Sequence, residues 1–184
     1  MKAMKWIRVL VFGAAMLAGV VTAIGASLPR EHTASRSLLV HRPATAVWTA
    51  ISDFRAAPSW RKDVRSVERG PDRNGHPVWI EQGANGTLPM EVVEADAPSK
   101  LVTRIADPNL PFGGTWTYRI EPGPGGSTRL TITEEGWVSN PIFRFVSRVV
   151  LGRYATIDAY LNSLAKKFAD ASSALTARLD MLIV

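Results

Sequence analysis

The sequence predicts an α+β fold: an antiparallel β-sheet of about six to seven strands wrapped around a long C-terminal α-helix, preceded by one N-terminal transmembrane helix. Three observations carry that expectation. Val9 to Leu28 is a run of twenty residues without a charge. Between Val64 and Trp137, short β-prone segments alternate with turn residues. From Val146 to Phe168, apolar residues recur in steps of 4, 4, 3, 4, 3 and 4, the spacing of one apolar helix face.

The first run, as a helix rising ~1.5 Å per residue, is about 30 Å long and matches the hydrocarbon core of a bilayer. It is apolar on every face, which argues against a half-buried core helix. Lys2, Lys5 and Arg8 precede it and favour a cytoplasmic N-terminus with the domain on the extracytoplasmic side; Arg30, Arg36 and Arg42 weigh against that orientation. The alternative is a cleaved signal leaving a secreted or periplasmic domain. Val21-Thr22-Ala23 and Ile24-Gly25-Ala26 resemble cleavage sites, but each has a bulky outer residue where a small one is preferred. The length favours an uncleaved anchor. The chain therefore divides into an anchor or signal segment over 1–28, a polar linker over 29–36 and one domain over 37–184.

Within the domain, Ser35–Val40 reads as a first strand. Pro43 suits the first turn of a helix in which Val47, Trp48, Ile51 and Phe54 recur at helical spacing. Pro58 interrupts it just before Trp60. Six strands follow in meander order: Val64–Arg69, Pro77–Gln82, Leu88–Ala95, Lys100–Ile105, Gly114–Glu121 and Arg129–Trp137. Asn74-Gly75 and Asn85-Gly86 supply the positive backbone angles of tight hairpins, and short connections imply antiparallel pairing. Trp116, Tyr118 and Ile120 alternate with Thr115, Thr117 and Arg119, so that strand has one apolar and one polar face. Such a sheet needs an apolar cover. Ser139-Asn140-Pro141 is a helix start, and the stripe Val146, Val150, Tyr154, Ile157, Leu161, Leu164 and Phe168 beyond it supplies that cover, with a kink expected at Gly152.

Composition narrows the function. Three of the 22 basic residues precede the apolar run and all 16 acidic ones follow it, so the remainder carries 19 against 16, a net +3. Those charges are interspersed, without the dense basic stripe that tracks phosphates, which argues against nucleic acid as a partner. The chain has no cysteine, which removes disulfides, thiolate catalysis and zinc–thiolate sites together. His32, His41 and His76 fall in the linker, at a strand end and in a turn. None has ligand spacing to another, so no metal is expected. No phosphate-loop, dinucleotide or nucleophile-elbow pattern occurs, and no cofactor is expected. Asn85-Gly86-Thr87 has the form of a glycosylation acceptor.

Three segments resemble one family. Val40-His41-Arg42-Pro43-Ala44 through Val47-Trp48 resembles the first strand and helix of the START-like or SRPBCC superfamily, which includes polyketide cyclase/dehydrase-like proteins. Pro58-Ser59-Trp60 is similar to the tryptophan-bearing segment that opens its sheet, and Glu134-Glu135-Gly136-Trp137 leading to Asn140-Pro141 to its last strand-to-helix passage. The resemblance spans about residues 35–170, and the N-terminal anchor is an addition to it. It implies a helix-grip fold enclosing a mostly apolar cavity for a lipid, sterol, polyketide or similar molecule, which some members cyclise or hydrolyse. It transfers no catalytic residue, because the superfamily shares no single catalytic motif, and function must be argued from the site.

The candidate ligand-binding residues are Trp60, Trp116, Tyr118, Phe143, Tyr154, Ile157, Tyr160 and Leu161. As a set they are rich in aromatics, with tyrosine hydroxyls able to orient a polar end of a ligand; taken singly, each is better explained by core packing. Trp116 and Tyr118 lead, because strand parity puts them on the helix side. Glu134 is the one catalytic candidate. It continues the face of Leu130 and Ile132, where burial would raise its proton affinity, but the expectation is a solvated strand-end carboxylate or one turned outward by a bulge at Gly136. Arg61 and Arg104 are candidate partners for a ligand carboxylate, against the commoner surface role. The leading reading is a membrane-tethered binding domain for a hydrophobic small molecule or lipid. A cyclase-, dehydratase- or hydrolase-like enzyme is the alternative. A scaffold with an exposed apolar patch, to which Leu179 and Met181–Val184 would contribute, is the third.

Overall fold

The computed structural model describes the backbone of residues 2–84 and 86–182 and the side chains of residues 4–84 and 86–171. The Asn85 turn and acceptor site and the patch at Leu179 and Met181–Val184 lie outside the residues so described. Helix α1 (Lys2–Ser27) is followed by strand β1 (Glu31–Val40), helix α2 (Ala44–Ser52) and a 3₁₀ turn over Phe54–Ser59. The meander comprises β2 (Val64–Arg73), β3 (His76–Gly83), β4 (Gly86–Asp96), β5 (Lys100–Ile105), β6 (Phe112–Pro122) and β7 (Thr128–Val138). Helix α3 (Pro141–Phe145), a π-helical turn over Val146–Val150 and helix α4 (Ala155–Leu182) close the chain.

All seven strands form one antiparallel sheet in the order β1-β7-β6-β5-β4-β3-β2. The expected meander is present, with β1 returned beside β7. Strands β1 and β2, consecutive in the chain, thus lie at opposite edges, and α2 and the 3₁₀ turn cross between them. Asn74 and Gly75 take φ of 53° and 79°, the two positive values of a tight hairpin turn. Strand β2 runs on to Arg73 past Pro71, through a register irregularity between Gly70 and Arg73. Proline is tolerated there because β2 is an edge strand.

Helix α4 lies against the concave face. Leu101, Leu130 and Ile132 of the sheet and Ile157 and Leu164 of α4 are fully buried, joined by Val47 of α2. At about 1.5–3 kcal/mol for each large apolar side chain removed from water, this layer is the main source of stability.

Two expectations need correction. The segment read as linker is strand from Glu31, because the β1–β7 ladder extends to Glu31↔Trp137. Glu31, His32 and Thr33 give that segment a polar sequence, yet they pair with Trp137, Gly136 and Glu135, and the ladder continues through hydroxyl contacts of Ser35 with Thr133 and Ser37 with Thr131, at 3.0 and 2.8 Å. The strand's inner face carries the buried Ala34. The apolar stripe is likewise broken. Asn140 caps α3 by accepting from the Phe143 N–H at 3.0 Å, as its sequence signal implies, and at Gly152, where a kink is expected, the chain leaves helical geometry altogether, with φ of 91°. The packed stripe begins at Tyr154, and Val150 stays 65% exposed.

Helix α1 is long and apolar enough to cross a membrane, and almost none of it is buried against the domain. Its last turn is the exception, where Gly25 lies directly on the Pro141 carbonyl.

Candidate functional site

Between the concave face, the 3₁₀ turn and the start of α4 lies a cavity of about 280 Å³. That is near the lower end of the roughly 300–1,000 Å³ typical of small-molecule sites. Its floor follows from register. Gly114 and Gly136 face each other across β6 and β7, and neither carries a side chain to fill the space. A Cβ on Gly136 would meet the His32 ring at 2.7 Å. The next rung sets Ala34, Glu134, Trp116 and Thr103 side by side. The rung beyond it, through Tyr118 and Ile132, begins the closed core.

Of the predicted ligand residues, Trp60, Trp116, Tyr118, Phe143 and Tyr160 line this cavity. The Tyr160 ring is their hub: its centroid is 5.3 Å from that of Trp60, 5.7 Å from that of Trp116 and 5.7 Å from that of Tyr118. The other three lie elsewhere. Ile157 and Leu161 belong to the packed core, and Tyr154 sits beneath the Arg36 guanidinium, 3.6 Å from its ring centroid. Helical spacing identifies the face that is covered, but not which turn of it meets a hole.

Two polar groups break the apolar lining. At one, Arg61 donates from Nη1 to Glu81 at 2.9 Å and from Nη2 to Asp63 at 2.7 Å, with its guanidinium 5.3 Å from the Tyr160 ring centroid. Burial alone would lower the pKa of Arg61, but the charges of Glu81 and Asp63 outweigh it and hold the group cationic. Arg61 is therefore committed to protein carboxylates rather than free for a ligand's. Arg104 is occupied too, donating to the fully buried Glu91 at 2.9 Å.

At the other, Glu134 Oε1 stands 3.7 Å from His32 Nε2, with both side chains more than four-fifths buried. The expected solvated position and the bulge at Gly136 are both overturned: the ladder passes Gly136 without interruption, so strand parity carries Glu134 into the cavity. His32, Glu81, Asp63 and Thr103 also line the cavity and were missed or set aside. Glu81 was findable, since it shares parity with Trp79 in a strand correctly located. His32 was hidden by the linker reading. Trp60 Nε1, Arg61 Nε and His32 Nδ1 are buried without a partner among the described residues, so the lining offers unspent hydrogen-bond donors or acceptors.

The tyrosines make a stability prediction. Burial raises the pKa of Tyr118, with the charge of Arg61 opposing. Burial and the neighbouring Tyr118 raise Tyr160 as well. Below the ordinary tyrosine value both groups are protonated in the folded and unfolded chain alike, so their contribution is fully present. Above it the unfolded chain releases protons that the folded chain keeps, and stability falls with pH by up to about 1.4 kcal/mol per pH unit for each tyrosine. Urea midpoints measured upward from about pH 9 should decline past about pH 10, and less steeply in Tyr118→Phe. Equal slopes in the two proteins would show that Tyr118 titrates normally.

Comparison with known proteins agrees with this geometry. Residues 31–169 match the model of the family described as polyketide cyclase / dehydrase and lipid transport. Among solved structures, a START superfamily protein from Mycobacterium smegmatis superposes with a TM-score of 0.61 at 16% identity, over 76% of this chain and 99% of that one. The Zhui aromatase/cyclase from Streptomyces sp. R1128 gives 0.59 at 14% identity, over 76% and 94%. Norcoclaurine synthase from Thalictrum flavum gives 0.58 at 12% identity, over 78% and 89%. At such identities the likeness shows a shared fold alone. No curated relative matches at a significant level.

Proposed function

The chain belongs to the polyketide cyclase/dehydrase and lipid transport family, and from that premise we propose that it binds a hydrophobic small molecule or lipid inside its cavity while tethered to a membrane by α1. The observation that carries this reading is the unfilled space between sheet and helix, walled by Trp60, Trp116, Tyr118 and Tyr160. Apolar rings supply the affinity and the unpartnered Trp60 and His32 nitrogens select a polar end. The 20-residue uncharged run supports the tether, and Lys2, Lys5 and Arg8 before it support placing the domain on the extracytoplasmic side.

Mass spectrometry of molecules that copurify with the full chain tests the reading directly, alongside uptake of a fluorescent fatty-acid analogue. Leu88 lines the cavity, so Leu88→Trp is expected to fill it and reduce probe affinity at least tenfold, about 1.4 kcal/mol, while leaving the fold intact. A wild-type chain that carries nothing, takes up no probe and behaves like Leu88→Trp would overturn the proposal.

A second reading, an enzyme transforming that ligand, is favoured by one observation: the His32 imidazole and the Glu134 carboxyl stand 3.7 Å apart and both line the cavity, the residue types that general acid–base chemistry uses. If it holds, wild-type protein converts the copurified molecule and Glu134→Gln binds it unchanged.

A further inference from the structure

The cavity's rim lies where α1 meets the domain. Phe143, Ser147, Arg148, Leu151 and Arg153 line the cavity, and they belong to the segment that follows Pro141, the residue against which Gly25 of α1 packs. Two arginines of the segment fasten that junction. Buried Arg144 donates to the Leu28 carbonyl at 2.7 Å, and Arg148 donates to the carbonyls of Pro29 and Glu31 at 3.0 and 2.9 Å. The rim is thus tied to the end of the apolar helix within two or three residues of the point where it leaves any bilayer it crosses.

The same segment is oddly apolar for a surface. Val149, Val150 and Leu151 are each more than half exposed, and Ile142 and Phe143 nearly half. A π-helical turn and the left-handed Gly152 hold the three consecutive residues outward instead of letting them join the packed face of α4. Contiguous exposure of this kind marks an interaction surface. Its charge specifies the partner. From Pro141 to Ile157 there are three arginines and no acidic residue. The side-chain hydrogen bonds of Arg144 and Arg148 go to uncharged carbonyls, and partial burial together with the charges of Arg153 and Arg144 disfavours the protonated form of Arg148. An anionic surface would relieve that crowding.

Resting on the tether proposed above, we propose that Ile142–Arg153 seats in the surface of a bilayer bearing anionic headgroups, so that the mouth of the cavity opens into the headgroup layer rather than into water. The apolar residues then enter the acyl boundary by the ~5–10 Å usual for interfacial segments, with Arg153 at phosphate level. A greasy ligand would pass between bilayer and cavity without crossing the aqueous phase.

Because the chain lacks cysteine, single spin labels report on this without background. Three variants of the full chain, Val20→Cys, Val150→Cys and Glu121→Cys, are labelled in phosphatidylcholine vesicles containing phosphatidylglycerol. Glu121 lies at the far end of β6, about 30 Å from the Phe112 end at the rim. Accessibility to a water-soluble relaxing agent should fall several-fold at Val150 relative to Glu121, and rise again when Arg153→Glu is added or phosphatidylglycerol is omitted. A Val150 label as accessible as Glu121, with Val20 protected, overturns this inference and leaves the tether standing. Exposure of Val20 as well overturns the tether and with it the inference. A Val150 depth indifferent to Arg153→Glu and to phosphatidylglycerol removes the anionic headgroup, and dipolar broadening between Val150 labels would assign the patch to a second copy instead; either result refutes the proposal.

Discussion

Replacing Arg61 with alanine is expected to destabilise the domain by about 3–5 kcal/mol, because it strands a buried charge rather than removing a surface pair. The Glu81 side chain is 10% exposed and that of Arg61 16%, so water screens the pair weakly. For a domain of this size such a loss lowers the melting temperature by roughly 6–20 °C at about 2–4 °C per kcal/mol. The partner substitution separates charge from shape. Arg61→Met combined with Glu81→Leu removes both charges and should recover most of that loss, since apolar replacement of a buried pair is often close to neutral. The double variant should nonetheless change probe uptake, because the polar end of the cavity has become apolar. Thermal unfolding followed by near-ultraviolet circular dichroism measures the first effect and probe titration the second. A drop of under ~3 °C in Arg61→Ala would show that the pair is solvated and contributes as a surface bridge does, about 0–1 kcal/mol.

The contrast between Arg61 and Trp60 explains what sequence could reveal. Trp60 is legible because the local Pro58-Ser59-Trp60 segment resembles the tryptophan-bearing segment that opens the family's sheet. Arg61 beside it looked like surface, because its burial depends on Glu81, twenty residues away in sequence. The sheet was legible for a related reason. Alternation at Trp116, Tyr118 and Ile120 is a local property that survives into the fold, and it correctly predicted which side faces α4. It also carried Glu134 inward, and the alternative at Gly136 failed because that glycine serves a close approach by His32, not a bulge. Strand β1 begins four residues before Ser35 because residues 31–34, short of apolar side chains, are held in it by pairing with residues 134–137, about a hundred residues later. Features set by adjacent residues were therefore readable, and those set by long-range partners were not.

Ile157 gives that distinction its sharpest test. The helical stripe that supplies the sheet's cover also places it among the ligand candidates beside Tyr160, yet the structure buries it completely among core residues and outside the cavity wall. Ile157→Ala should therefore cost about 2–5 kcal/mol of stability, the lost transfer energy plus the hole left behind. Below its lowered melting point it should bind the fluorescent probe with unchanged affinity. Trp60→Phe should behave in the opposite way. It retains most of the apolar volume but loses the indole N–H, which has no partner among the described residues. Folding should change by under ~1.5 kcal/mol, as for similar hydrophobic exchanges, while a ligand that accepts from that nitrogen loses a hydrogen bond worth about 0.5–1.5 kcal/mol, a roughly two- to tenfold weaker affinity. Were Ile157→Ala to weaken binding more than it weakens the fold, the ligand would have to reach past Tyr160 into what is now packed core. The wall formed by Trp60, Trp116 and Tyr160 would then be a movable partition rather than the end of the site.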